Sequence, residues 1–357
     1  MVIQSHRGPY TLKFGRQFEG IDQGLNPGEH LIIDDRVAEL YAETLQSSLD
    51  AHSVLRITAN EKNKSLERIS DYVTCLLENG VRRNHVLVAV GGGIIQDITA
   101  FIAATLLRGL DWRFYPTTLL AQADSCIGSK SSINVGRFKN QVGTFTPPND
   151  ILVSTSVLRT LTDQDLRSGV GEMIKVHIIS GLDDLRAIQK DYPNLFEDPA
   201  LMEHYIHRSL EIKKAKIEVD EFDRNERLVM NYGHSFGHAI ESASEYQIPH
   251  GIAVTIGMDL ANYLACRLQL TSSDVHKEIH QLLRANYSGF ERCEISSSQF
   301  FAALNHDKKN KENLLSLILM SSPGEMILHR IPLDDQLKGI CLEYFEELRT
   351  VRQSISS

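Results

Sequence analysis

Residues 86–93 read VLVAVGGG. A continuous apolar, β-branched run without polar alternation predicts a strand buried on both faces, and the interior of a parallel sheet covered by crossover helices is where such strands occur. The run passes directly into Gly91, Gly92 and Gly93, after which IIQDITAFIAATLLRG takes up helical spacing. Glycines at the C-terminal end of a buried strand let backbone approach a pyrophosphate closely and aim helix N-terminal NH groups at it. GGGIIQD is not the GxGxxG pattern, and a glycine run after a strand is also an ordinary tight turn, so this segment alone leaves both readings open.

The same alternation extends through the first 150 residues. HLIIDD predicts a strand ending at Asp34, RVAELYAETLQSSL a helix, HSVLRITA a strand, SLERISDYVTCLLENG a helix closing at Gly80, and WRFYPTT a further strand. Asp34 is placed to accept hydrogen bonds from a ribose hydroxyl, although acidic residues at strand ends also form loops. Beyond about residue 160 the apolar spacing turns helical, over 161–181, 199–219, 228–243, 251–268, 273–285 and 334–353, with one hairpin expected near 314–331 across SSPG. A chain of 357 residues exceeds one ordinary core. We therefore expect an α/β nucleotide-binding domain over 1–160 and a mainly helical domain over 161–357.

The formal charge of −9 argues against nucleic acid, which demands clustered Lys and Arg. Cys75, Cys126, Cys266, Cys293 and Cys341 show no CxxC spacing and suit reduced thiols. The first residues lack a basic segment followed by an apolar run, and no apolar stretch reaches the ~18 residues of a membrane span. A cytoplasmic location is the expectation.

Two segments carry chemistry. NYGHSFGHAIESASEYQIPHG sets His234 and His238 four apart, on one helix face, and brings His250 in beside a proline. Neutral imidazoles suit zinc and similar ions, and Glu172 in GVGEMIK would complete a Glu-plus-two-His set with an open position, a catalytic ligand set. Among 14 histidines an i,i+4 pair also arises by chance. The second segment, DSCIGSKSSINVGRFKNQVG, concentrates Asp124, Lys130, Asn134, Lys139 and Asn140 in a Gly- and Ser-rich stretch. Such a stretch is either a solvated surface or a site for an anionic, hydroxylated substrate, with lysines meeting phosphate and amides and carboxylates orienting hydroxyls.

Taken together, NEKNKSLE, GGGIIQD, AATLLRG, YPTTLLAQADSCIGSK, GRFKNQVGTF, GEMIK, NYGHSFGHAIE, HGIAVTIGM and HDKK resemble, in this order and spacing, the 3-dehydroquinate synthase family of sugar phosphate cyclases. The GHSFGHAIE and DSCIGSK…KN segments are the specific ones, and the resemblance covers nearly the whole chain. It implies a Rossmann-like parallel-sheet NAD-binding domain followed by a mainly helical metal- and substrate-binding domain. The metal, zinc or cobalt, falls on Glu172, His234 and His250, leaving His238 to face substrate. NAD contacts fall on Asp34, Glu61, Lys64, Gly91, Gly92, Gly93, Asp97, Thr117, Thr118, Asp124, Lys130 and Lys139. Substrate and catalytic positions fall on Asp124, Lys130, Lys139, Asn140, Lys175, Lys214, Arg227, Asn231 and His238, and the DKK lysines Lys308 and Lys309 lie near the phosphate. Arg108 matches an arginine donated across a dimer interface, so a homodimer is implied.

The implied reaction oxidises a ring carbinol of 3-deoxy-D-arabino-heptulosonate 7-phosphate, eliminates phosphate, returns the hydride and closes the ring by an intramolecular aldol step to 3-dehydroquinate. This is a carbon-oxygen lyase reaction of the shikimate pathway to aromatic amino acids. Four departures from the family pattern stand out: Gln96 for a glycine before Asp97, Ser129 for a glycine before Lys130, Ile252 for a glutamate beside His250, and one residue fewer between Lys214 and Arg227. Related cyclases act on sedoheptulose 7-phosphate, glucose 6-phosphate or an amino analogue. Metal-dependent polyol and alcohol dehydrogenases share the two-domain plan but need no lysine-rich phosphate site, so Lys130, Lys139, Asn140 and the DKK pair speak against them. Lys214 and Arg227, associated with the substrate carboxylate, favour the keto acid.

Overall fold

A computed structural model describes residues 1–136, 138–305 and 314–349. The chain divides into two compact units, Met1–Thr162 joined by Ile206–Asp223, and Asp163–Tyr205 joined by the chain from Arg224 onward. The return of Ile206–Asp223 to the first unit is invisible to the composition change near residue 160, because it lies inside one uninterrupted helical pattern.

The first unit is built on a seven-stranded sheet. Its strands are β1 (Val2–Ile3), β2 (Tyr10–Phe14), β3 (Glu29–Asp34), β4 (Val54–Ile57), β5 (Val86–Gly91), β6 (Asp111–Pro116) and, after the small hairpin of β7 (Ile133–Val135) and β8 (Phe138–Val142), β9 (Asp150–Val153). The order is β1-β2-β9-β6-β5-β3-β4, parallel throughout except for β1 against β2. The central strands are the most apolar: Leu31, Ile32 and Ile33 of β3 and Leu87, Val88, Ala89 and Val90 of β5 have no solvent exposure. Fully burying a Val, Leu or Ile side chain is worth about 1.5–3 kcal/mol, so these two strands alone anchor the sheet.

The crossovers are α1 (Asp35–Leu40), α2 (Ala42–Leu49), α3 (Leu66–Glu78) and α4 (Gly93–Thr105). The single helix expected over RVAELYAETLQSSL is two. Tyr41 interrupts it at φ −118°, its hydroxyl bonded to Val157 O and Thr160 Oγ1 and its ring edge-on to Phe18. Periodicity cannot register a break made by a distant partner. The helix expected over IIQDITAFIAATLLRG likewise stops at Thr105, where Leu107 and Arg108 both adopt left-handed backbone.

The second unit holds α5 (Asp163–Ser180), α6 (Leu182–Asp191), the start of α7 (Pro199–Val219), α8 (His234–Ala243), α9 (His250–Arg267), α10 (Ser273–Asn286), α11 (Ser297–Asn305), the antiparallel hairpin of β10 (Leu314–Ser322) and β11 (Glu325–Pro332), and α12 (Asp335–Glu343). The hairpin turns at Pro323 and Gly324, where it was expected. The helix predicted over 228–243 forms only from His234, because Gly233 sits at φ +77° and separates α8 from a 3₁₀ segment over Glu226–Asn231. No helix among the described residues is long and apolar enough to cross a membrane.

Candidate active site

Backbone proximity assembles the metal-ligand candidates. Along α5 the residues Ser168, Gly171, Glu172 and Lys175 recur at i, i+3, i+4 and i+7, hence on one face. That face lies against the start of α9 so closely that a β-carbon on Gly251 would come 1.8 Å from Ser168 O, and one on Gly171 2.3 Å from Gly251 O. Only glycine permits this approach. Its consequence is that Glu172 of α5 and His250 of α9, 78 positions apart in sequence (250 − 172), share one site.

His234 enters from the first position of α8, immediately after left-handed Gly233. The Nε2 atoms of His234 and His250 each lie 3.4 Å from Glu172 Oε1. Two donors held about 2.1 Å from a tetrahedral ion are about 3.4 Å apart, which is the separation of each imidazole from Glu172 Oε1. The other ring nitrogens are occupied: His234 Nδ1 faces Tyr232 O at 3.2 Å and His250 Nδ1 faces Glu241 Oε2 at 3.0 Å. These contacts turn both Nε2 atoms toward the carboxylate.

The charges around Glu172 set the protonation state of the three groups. Burial would raise the Glu172 carboxyl, but Lys175 and His234 outweigh it and hold the group well below the usual carboxylate range. Lys175 pairs directly with Glu172 Oε2. Burial also lowers the His234 pKa, aided by the charge of Lys175, which keeps its imidazole neutral. His250 moves the other way: burial opposes its charge, yet the hydrogen bonds to Glu172 and Glu241 raise it to about 10. His238 is exposed, stacked on His250 at 5.7 Å between ring centroids, and it brings a ring nitrogen within 4.8 Å of those of His234 and His250.

Glu241 is a residue the sequence reading missed. Ile252 is fully buried among apolar side chains and cannot orient His250; Glu241, one helix away, accepts from it instead. The signal was present in GHAIE, where Glu241 stands seven residues after His234 and so on the same face of α8. Glu241→Ala should therefore leave the three ligands in place and weaken zinc binding about 10–100-fold, as loss of an outer-shell partner does. Competition with a chromophoric chelator measures this, and unchanged affinity would remove Glu241 from the site.

Arg227 and Asn231 lie in the 3₁₀ segment leading to α8, with Arg227 buried and Asn231 bonded through Nδ2 to Leu228 O.

In the first unit Glu61, Lys64, Asp97, Lys139 and Asn140 form one cluster. Lys64, 5% exposed, donates to Asp97 Oδ2 and Asn140 Oδ1, both at 3.0 Å, and Asp97 also accepts from the Ser132 N–H and hydroxyl. Burial raises the Asp97 carboxyl against the pull of Lys64. Glu61 lies 3.8 Å from Lys64 and 3.9 Å from Lys139, and accepts from Asn134 Nδ2. Asn140 holds left-handed backbone at φ +53°, a conformation asparagine tolerates, and its N–H donates to Asn134 Oδ1. Thr117 N–H donates to Gly91 O, and a β-carbon on Gly92 would strike Thr118 Cγ2 at 2.8 Å. A β-carbon on Gly93, the first residue of α4, would meet nothing within 4 Å. Asp34 caps α1, accepting from Arg36 N–H.

Asp124 has an unforeseen partner. Lys213, 5% exposed, reaches Asp124 Oδ2 at 3.0 Å and its carbonyl at 2.6 Å. Lys214, the lysine singled out from sequence, turns away and pairs with Glu218 at 3.8 Å, partly exposed. Adjacent helix residues point about 100° apart, so only one of the two can face Asp124. Gln96, where a glycine was expected, exchanges hydrogen bonds with Ser125 through both its amide atoms, fastening α4 to the π-helical turn Ala121–Ser125 that carries Asp124. Lys130 pairs with Asp223, and Arg108 is exposed. Lys308 and Lys309 lie outside the described residues.

Comparison with known proteins gives a consistent picture. Residues 54–168 match the family model described as 3-dehydroquinate synthase N-terminal, and residues 169–310 the one described as 3-dehydroquinate synthase C-terminal. A 3-dehydroquinate synthase of Clostridium tetani is 32% identical over 331 residues, covering 92% of this chain and 89% of the relative. One from Nitrosomonas europaea is 36% identical over 301 residues, covering 83% and 82%. Among solved structures, a 2-deoxy-scyllo-inosose synthase complexed with carbaglucose-6-phosphate, NAD⁺ and Co²⁺ superposes with a TM-score of 0.83 at 24% identity, covering 96% of this chain and 99% of that one. A 2-epi-5-epi-valiolone synthase from Streptomyces hygroscopicus with NAD⁺ and Zn²⁺ gives 0.83 at 23% identity, covering 95% and 97%. A probable glycerol dehydrogenase from Sinorhizobium meliloti is more remote, with a TM-score of 0.57 at 12% identity, covering 91% and 92%.

Proposed function

The chain belongs to the 3-dehydroquinate synthase family, and from that premise we propose that it is an NAD- and divalent-metal-dependent carbon-oxygen lyase converting 3-deoxy-D-arabino-heptulosonate 7-phosphate into 3-dehydroquinate and phosphate. The observation that carries the reading is the convergence of Glu172, His234 and His250, with each imidazole Nε2 3.4 Å from Glu172 Oε1. Bound NAD would supply a reversible hydride acceptor, and the divalent ion a Lewis acid for neighbouring hydroxyl oxygens.

The chain's own residues bind, orient and neutralise. The N-terminus of α4, which begins at Gly93, receives the pyrophosphate, whose charge the helix N–H groups complement. Asp97, fixed by Lys64 and Ser132, and Glu61, fixed by Asn134, orient the cofactor beside it. Asp34 is already engaged as a helix cap, which leaves one carboxylate function for a ribose hydroxyl rather than a free side chain. Lys213 takes the role first given to Lys214: held by Asp124, it presents a fixed positive charge, and with Arg227 it recognises the carboxylate of the keto acid. We assign Lys130, Lys139, Asn140 and His238 to the phosphate, and Lys175 and Asn231 to the ring hydroxyls. Most of the rate enhancement then comes from positioning and preorganised charge. Arg108, exposed on two consecutive left-handed residues, is a backbone arrangement kept at an energetic cost, and we assign it to a homodimer contact that completes the neighbouring subunit's site.

The test is stoichiometric. Purified protein with NAD and zinc or cobalt should release inorganic phosphate from the keto acid phosphate without net NADH. Release from sedoheptulose 7-phosphate or glucose 6-phosphate alone moves the reading to a related cyclase; net NADH with no phosphate would indicate a dehydrogenase and end the proposal.

A further inference from the structure

Nine residues beyond His250 on α9, about two and a half turns and so on the opposite face, stands Asp259. It has no solvent exposure. Its carboxylate accepts from Tyr287 Oη at 2.9 Å and Tyr344 Oη at 2.8 Å, both at Oδ2, and His280 Nδ1 lies 2.9 Å from each oxygen. Among the described residues its one ion-pair partner is His280.

A hydrogen-bonded buried carboxylate accounts for the two tyrosines and for His280. It does not account for His276. One turn before His280 on α10, this residue is 7% exposed, and its Nε2 is buried without a hydrogen-bond partner among the described residues. Buried polar atoms in folded proteins are satisfied by a protein group, a water or an ion, and an ion also suits the neighbouring carboxylate. Asp259, His276 and His280 each bring one ligand atom within 4.8 Å of the other two, all three side chains buried. The i,i+4 spacing of the histidines sets both imidazoles on one face of α10, toward Asp259 on α9. Burial moves the His276 pKa below its ordinary value in spite of Asp259, so its imidazole is a neutral lone-pair donor.

We propose that Asp259, His276 and His280 form a second divalent-metal site, suited to zinc or cobalt and separate from the Glu172 centre. One carboxylate oxygen and two imidazoles are the donor types such ions take, and Tyr287 and Tyr344 hold the carboxylate in orientation. The ion offsets the buried charge of Asp259, gives the His276 ring a partner, and ties α10 to the helix whose first residue is His250. Its role is structural, since the site lies on the face of α9 away from His250.

Equilibrium dialysis against Co²⁺, with the visible absorption of bound cobalt recorded, tests this on the full chain. The wild-type protein should bind two equivalents and His276→Phe one, with phosphate release retained and a smaller cobalt-induced rise in melting temperature. His250→Ala, which leaves α10 untouched, should also keep one equivalent, so the result does not depend on His276→Phe folding. A single wild-type equivalent that is lost in His250→Ala, or stoichiometry unchanged by His276→Phe, would overturn the second site. Either outcome leaves the proposed reaction standing, because phosphate release is read independently.

Discussion

His250→Ala is expected to empty the Glu172 centre and to lower phosphate release by at least about a thousandfold, since a catalytic divalent ion supplies several kcal/mol of charge stabilisation in the transition state and about 1.4 kcal/mol is a factor of ten. The variant also separates the metal's contribution to stability from the ligand's. In the wild-type protein, zinc at 100 times its Kd should stabilise the fold by about 2.7 kcal/mol, and this zinc-dependent rise in melting temperature should shrink in the variant. The pH dependence has a defined sign. In the metal-free protein His250 has a pKa raised from 6.5 to about 10. Its protonated form therefore contributes stability that is complete below pH 6.5 and is lost as pH climbs through about 10. Zinc must displace that proton, so zinc affinity should increase with pH across this window, and the increase should be weaker in His250→Ala. Retained metal and retained turnover in the variant would show that another residue completes the site, and His238 is the neighbour to examine next.

The N-terminal architecture was legible because its signal is local. A strand buried on both faces announces itself by composition alone, and β3, β5 and β6 fall where HLIIDD, VLVAV and WRFYPTT placed them. Helix α7 occupies 199–219 as its spacing predicted. Breaks made by remote partners were not legible: Tyr41 splits a helix through contacts more than a hundred positions away. The convergence of Glu172, His234 and His250 could be anticipated from ligand chemistry, yet what brings them together, the backbone contact between Gly171 and Gly251, has no sequence signal beyond two unremarked glycines. Ile252 illustrates the reverse error. An isoleucine offers His250 no acceptor, and the acceptor comes from Glu241 on α8.

The two adjacent lysines give the sharpest contrast, because side-chain type cannot rank them and helix geometry can. Lys213→Met should lower kcat/KM for the keto acid roughly a hundredfold to a thousandfold, the range for removing one partner of a buried, hydrogen-bonded charge pair with substrate. Lys214→Met, which gives up an exposed pair with Glu218, should stay within about a factor of five, as such pairs are worth ~0–1 kcal/mol. Lys213→Met also strips Asp124 of its cation, and breaking a buried pair typically costs about 3–5 kcal/mol, so melting temperature must be followed alongside activity. Lys213→Arg separates the two effects. A guanidinium keeps the charge beside Asp124 and so preserves the fold, but its planar fork cannot present the point charge of an ammonium at the same spot, and kcat/KM should fall while stability holds. If Lys213 recognises a carboxylate, the loss should be much smaller on sedoheptulose 7-phosphate, which has none, than on the keto acid. Equal losses on both would make Lys213 a support for Asp124 alone, and a damaging Lys214→Met beside a neutral Lys213→Met would return the role to the residue that faces Glu218.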